Sequence, residues 1–107
     1  MIPKKFLARP FDLAGAVRYS TDSVVSKTVL DKPTGTLTLF AFDAGQGLSE
    51  HTSPYDATVL IVDGQAELTI GGKTVTARAG ELVIMPAKVP HSLRAVERFK
   101  MLLIMIR

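Results

Sequence analysis

The 107-residue sequence contains no cysteine and no tryptophan, and only two histidines. Without cysteine there can be no disulfide framework, thiolate metal site or thiol nucleophile, so any metal would be held by imidazole, carboxylate or water. No apolar run approaches the ~20 residues of a membrane span. The positive start, Met1-Ile2-Pro3-Lys4-Lys5, is not followed by the apolar stretch of a secretory signal, so a cytoplasmic location is expected. Charge of one sign is not concentrated either. The 13 Lys and Arg side chains stand against 10 Asp and Glu and form no basic stripe interleaved with aromatics, so neither nucleic acid nor membrane is expected as a partner. Gly45-Gln46-Gly47 and Gly71-Gly72 are too short for a phosphate-cradling loop before a helix.

What is present is a packed, β-rich chain. Apolar residues make up 47% of it, and the length suits one domain with a single core. From about Val24 onward, short runs with period-two alternation are separated by Gly, Pro and Asp. The runs are Ser26–Leu30, Thr36–Phe42, Ala57–Val62, Gln65–Ile70, Lys73–Arg78, Glu81–Met85, His91–Val96 and Phe99–Ile106. In the clearest of them Ala66, Leu68 and Ile70 share one face, and Gly71-Gly72 follows as a two-residue hairpin signal. The fold class is therefore all-β, a sandwich or barrel over 24–107, preceded by an N-terminal segment, 1–23, in which Phe11–Tyr19 has the makings of a short helical turn.

Ala57–Val62 and Met101–Ile106 are apolar on both faces, which calls for cover outside the barrel as well as within it. The N-terminal segment or a second subunit could supply that cover, and a homodimer is the expected assembly. The four methionines read as core filling rather than a soft-metal site.

His51 and His91 each sit beside a turn or strand start. Around them the chain resembles the cupin superfamily, whose small barrels carry two short motifs on adjoining strands. Gly45, His51 and Gly64 stand at the first glycine, first histidine and closing glycine of one motif; Gly80, Pro86 and His91 stand at the glycine, proline and histidine of the other. Ser53 stands where the family has a second histidine, Ala57 where it has a glutamate, and Lys88 and Ala95 replace a glycine and an asparagine.

The resemblance implies a double-stranded β-helix, or jelly-roll barrel, with both imidazoles in its mouth. It also implies a divalent metal (Fe, Mn, Ni, Cu or Zn) on three imidazoles and a carboxylate, of which only two imidazoles are present. Two functions stay open: a small-molecule enzyme with a degenerate or metal-free centre, and a non-catalytic module that binds or senses a small organic ligand. Candidate catalytic groups are His51 and His91, with Tyr55 as an acid partner. Candidate ligand contacts are His51, Ser53, Ala57, Met85 and His91. Candidate metal ligands are His51 and His91, joined by Asp56 only if the strand bulges, since a one-residue slip turns a side chain to the opposite face. Ser53 lacks the surroundings of a nucleophile.

Overall fold

The computed structural model describes residues 2–107, and Met1 lies outside the described residues. Two 3₁₀ turns, Lys4–Phe6 and Ala14–Ala16, precede eight strands: β1 (Val24–Lys32), β2 (Gly35–Phe42), β3 (Gly47–His51), β4 (Ala57–Ile70), β5 (Lys73–Arg78), β6 (Leu82–Met85), β7 (His91–Arg94) and β8 (Phe99–Ile106). All pairings are antiparallel.

β4 organises the molecule. Its first half lies between β8 and β6, and its second half lies between β7 and β5. One sheet therefore runs β1-β2-β8-β4-β6 and the other β5-β4-β7-β3, with β4 crossing from one to the other. This is a jelly roll, an antiparallel double sheet in which few edges stay open.

The crossing corrects one expectation, because Ala57–Val62 and Gln65–Ile70 are halves of a single strand rather than two strands divided by an Asp63-Gly64 turn. The β4–β8 register shifts between Ile61 and Asp63, and Gly64 bends the chain at φ +70°. The extra residue also resets the alternation, so Val59 and Ile61 before the bend and Ala66 and Leu68 after it are all buried. The Gly71-Gly72 turn does join β4 to β5, both glycines having positive φ. The helical turn sought in Phe11–Tyr19 shrinks to one 3₁₀ turn, for Gly15 and the short length cannot sustain more.

Two apolar clusters result. Between the sheets lie Phe42, Val59, Ile61, Leu68, Leu93, Phe99 and Met101, among others. Outside the β1-β2-β8 face, Val17, Val29, Leu39, Ala41 and Leu102 are buried with Phe6, Leu13 and Tyr19 packed on them. The N-terminal segment thus supplies outer cover over the part of that face centred on Leu39, Ala41 and Leu102. It is pinned by Lys27 Nζ donating to the Ala16 carbonyl at 2.7 Å and by the Tyr19 hydroxyl donating to Asp63. Leu82, Ile84 and Ile106 remain exposed.

Candidate functional site

The two histidines meet because of a bulge. β3 and β7 pair Leu48 with Leu93 and then His51 with His91, so β3 spends one residue more than β7 over that interval. Leu48 faces the interior, and strict alternation would have set Glu50 against the cavity; the added residue sets His51 there instead, at its open edge, where the ring stays exposed. On its other side His91 pairs with Ile70 of β4, which places it well inside the sheet.

The imidazoles form an edge-to-face pair with ring centroids 4.4 Å apart and planes at 72°. Each ring is fixed by a carbonyl two residues earlier, His51 Nδ1 against Ser49 at 2.7 Å and His91 Nδ1 against Val89 at 3.1 Å. A carbonyl only accepts, so each Nδ1 carries a proton toward it, and each ring turns its Nε2 away from the backbone. His91 is 2% exposed, and burial pushes its pKa below the ordinary imidazole value; the nearby His51 acts in the same direction, against the Val89 carbonyl. His91 is therefore held neutral, an acceptor rather than a cation.

Both rings open onto a cavity of about 290 Å³ lined also by Leu48, Thr52, Ser53, Pro54, Ala57, Met85, Leu93, Met101, Leu103 and Met105. Among the described residues, no buried side-chain nitrogen or oxygen lacks a hydrogen-bond partner. The Nε2 of the buried His91, which takes no partner within the chain, accordingly keeps access to this space, and the exposed His51 ring lines it as well. The stacked Phe42 and Phe99 rings, 4.4 Å apart, pack elsewhere in the core and do not line it.

The structure brings His51, Ser53, Ala57, Met85 and His91 to one cavity and leaves two other candidates outside it. Tyr55 is 39% exposed and does not line the space. Asp56 turns away, its carboxylate accepting the Ala87 N–H at 2.8 Å to tie the loop before β4 to the loop after β6. The chain does not bulge there, since Ala57 pairs in register with Met85 and Met105. The Ser53 hydroxyl accepts the Tyr55 N–H at 3.1 Å and keeps its own proton to donate.

Sequence reasoning missed Met101 and Met105 as walls. Both were legible only as inward positions of an apolar strand, and β8 is apolar on both faces.

A first-row divalent ion held by three imidazoles and a carboxylate does not fit this cavity. Among the described residues no three His, Cys, Asp or Glu side chains come together, and Ser53 and Ala57 occupy the positions that would complete such a set.

Lys88 marks a further departure. It adopts φ +66° in the turn closed by the Val89 N–H on the Pro86 carbonyl, and its own N–H bonds the Ser53 carbonyl at 2.7 Å. The turn keeps a conformation suited to glycine while carrying a lysine, at a cost of about 1–2 kcal/mol. Lys88→Gly should raise stability by roughly 0.5–1 kcal/mol after the added freedom of the unfolded chain is subtracted. A melting midpoint at or below that of the parent protein would contradict this.

Comparison with known proteins agrees with this geometry. A family model described as "Cupin domain" matches residues 38–107. A conserved protein of unknown function from Streptococcus pyogenes superposes with a TM-score of 0.88 at 39% identity, over 94% of this chain and 88% of that one. A cupin superfamily protein from Desulfitobacterium hafniense gives 0.88 at 27% identity, over 98% and 94%. An uncharacterized Streptomyces coelicolor protein is 36% identical over 53 residues, half of this chain and half of that protein. With a match running from within β2 to the last residue, on a jelly roll shared with solved cupins, this chain belongs to the cupin family.

Proposed function

We propose that the chain binds a compact, largely apolar organic molecule in the β3–β7 cavity, with the His51–His91 pair accepting hydrogen bonds from the ligand's hydroxyl or acid group. The observation that carries this reading is the pairing of two carbonyl-anchored imidazoles at the polar end of a space otherwise walled mainly by Leu, Met, Pro and Ala. Few, well-placed polar groups in an apolar pocket are the pattern of a small-ligand site. The volume, about 290 Å³, lies at the small end of the ~300–1,000 Å³ range of such pockets. Ser53 adds one donor. Proton transfer on a bound hydroxy-carbonyl compound is the second reading, favoured by a His91 that burial keeps neutral and hence able to take a proton.

Thermal-shift screening with small aliphatic and aromatic alcohols, phenols and acids tests the binding reading. A ligand at one hundred times its Kd should stabilise the native state by about 2.7 kcal/mol. That gain should fall sharply in both His51→Ala and His91→Ala. Hits that stabilise both variants as well as the parent, or no hit across the panel, would sink the proposal. Turnover of a hit would promote the catalytic reading.

For the assembly we propose a homodimer, because Leu82, Ile84 and Ile106 stay exposed on a sheet whose outer face the chain itself covers around Leu39, Ala41 and Leu102. A monomeric mass by light scattering at micromolar concentration would refute it.

A further inference from the structure

Outside the barrel, where the N-terminal segment lies on β1, an open groove of about 700 Å³ runs between that segment and the β1 residues Val25 and Lys27. It shares no lining residue with the histidine cavity. Three cationic side chains line it, Lys5, Arg18 and Lys27, against the single carboxylate of Asp12. That carboxylate is engaged within its own turn, where Oδ2 accepts the Gly15 N–H at 3.1 Å. Among the described residues, none of the three cations forms an ion pair.

The cations crowd one another instead. Lys27 is pressed below the ordinary lysine pKa, first by burial and then by the charges of Lys5 and Arg18. Like charges gathered without a counter-ion repel, and a bound anion turns that repulsion into attraction. The arrangement is also held in place. Lys27 Nζ donates to the Ala16 carbonyl at 2.7 Å and Lys100 Nζ to the Ala14 carbonyl at 2.5 Å, so the Ala14–Ala16 turn that leads into Arg18 is tied to β1 and to β8. An ammonium has three protons, and the bond to Ala16 leaves two on Lys27. Lys5 and Arg18 are exposed and spend none of their donors on ion pairs.

An aromatic wall stands beside these charges. The Phe6 and Phe11 rings lie 4.5 Å apart at 40°, and the Lys5 ammonium sits over Phe6 at 5.2 Å. Phe11 is 36% exposed, which leaves ring surface for a flat apolar group to cover. A phosphoryl group suits the charged end, because its several oxygens can meet the Arg18 fork and two ammonium groups together. Its charge at neutral pH, about −1.5 to −2 on a monoester, answers the two positive charges that Asp12 leaves unmatched.

We propose that this groove is a second binding site, for a small aromatic dianion of the aryl phosphate class, with its charged end on Lys5, Arg18 and Lys27 and its ring against Phe6 and Phe11. The inference does not rest on the organic-ligand reading of the barrel cavity.

The test is calorimetric titration of the full chain with phenyl phosphate, and with inorganic phosphate and phenol as its separate halves, followed by amide chemical-shift mapping. One phenyl phosphate per chain is expected, bound at least about tenfold more tightly than either half, since ring and charge contacts each contribute. The shifts should centre on 5–20 and on Val25 and Lys27. Lys5→Gln combined with Arg18→Gln changes two exposed side chains and should weaken phenyl phosphate binding by about tenfold. Added salt should weaken binding to the parent protein in the same direction, a readout that needs no variant. Ligands taken up by the histidine cavity should bind the Lys5→Gln, Arg18→Gln protein unchanged, so failure at one site is distinguishable from failure at the other. No binding of phenyl phosphate, equal affinity for inorganic phosphate, unchanged affinity in the double variant, or shifts centred on His51 and His91 would overturn the proposal.

Discussion

Gly64→Ala is expected to cost about 3–5 kcal/mol, the upper end of what single substitutions do. Two effects add at this position. Gly64 sits at φ +70°, where an L side chain costs about 1–2 kcal/mol. A Cβ there would collide with the Arg98 carbonyl oxygen and lie 3.1 Å from the Phe99 Cα, both backbone atoms of β8 or the residue before it. Backbone cannot swing aside as the end of a flexible side chain can, so β4 and β8 must part at the bend where β4 crosses between sheets. A domain stable by ~5–15 kcal/mol would lose a large share of that margin. Gly80→Ala is the matched control. Its φ is +89° with nothing within 4 Å of the added carbon, so only the conformational cost of about 1–2 kcal/mol applies. Urea unfolding of both variants measures the difference, and a Gly64→Ala cost within about 1 kcal/mol of the Gly80→Ala cost would show that the collision is relieved cheaply.

Phe99→Ala should be comparably severe, at about 3–5 kcal/mol. The Phe99 ring is fully buried and stacks on Phe42 at 4.4 Å with an interplanar angle of 11°, while Phe40 adds a second stacked contact to Phe42 at 5.9 Å. Removing one ring leaves a void that the flanking strands cannot close, because Phe99 pairs with Phe42 across β2 and with Gly64 across β4. Phe42→Ala should cost a similar amount. The double variant should cost less than the sum by roughly 0.5–1.5 kcal/mol, the part owed to the stack. Equilibrium unfolding of the four proteins checks both claims, and a single-variant cost below about 1 kcal/mol would mean that the core collapses around the gap.

The legible parts of the fold were those that alternation reports. Ala66, Leu68 and Ile70 on one face, the Gly71-Gly72 turn and the runs later seen as β1, β2, β5 and β8 follow from local pattern and turn chemistry. Other features misled or were silent for physical reasons. Asp63-Gly64 looks the same in sequence whether it ends a strand in a turn or bends one through a bulge; here it bends one. β3, Gly47–His51, is mostly exposed and polar and holds its place by pairing with β7. Tyr55 and Asp56 share the loop of Ser53, but loop geometry gave Asp56 to the Ala87 N–H and Tyr55 to the surface. The bulge that sets His51 rather than Glu50 against the cavity leaves no local signature.

The sequence by itself determined an all-β chain, a barrel beginning near Val24, the absence of thiol chemistry, and two histidines as the centre of interest. Those properties are local: they depend on residue type and on a period of two along the chain. Only the tertiary structure decided that β4 spans both sheets, that the N-terminal segment covers part of the outer face, and that Met85, Met101 and Met105 wall the space beside His51 and His91. The make-up of a cavity depends on register between strands distant in sequence, and one inserted residue exchanges which side chains face it.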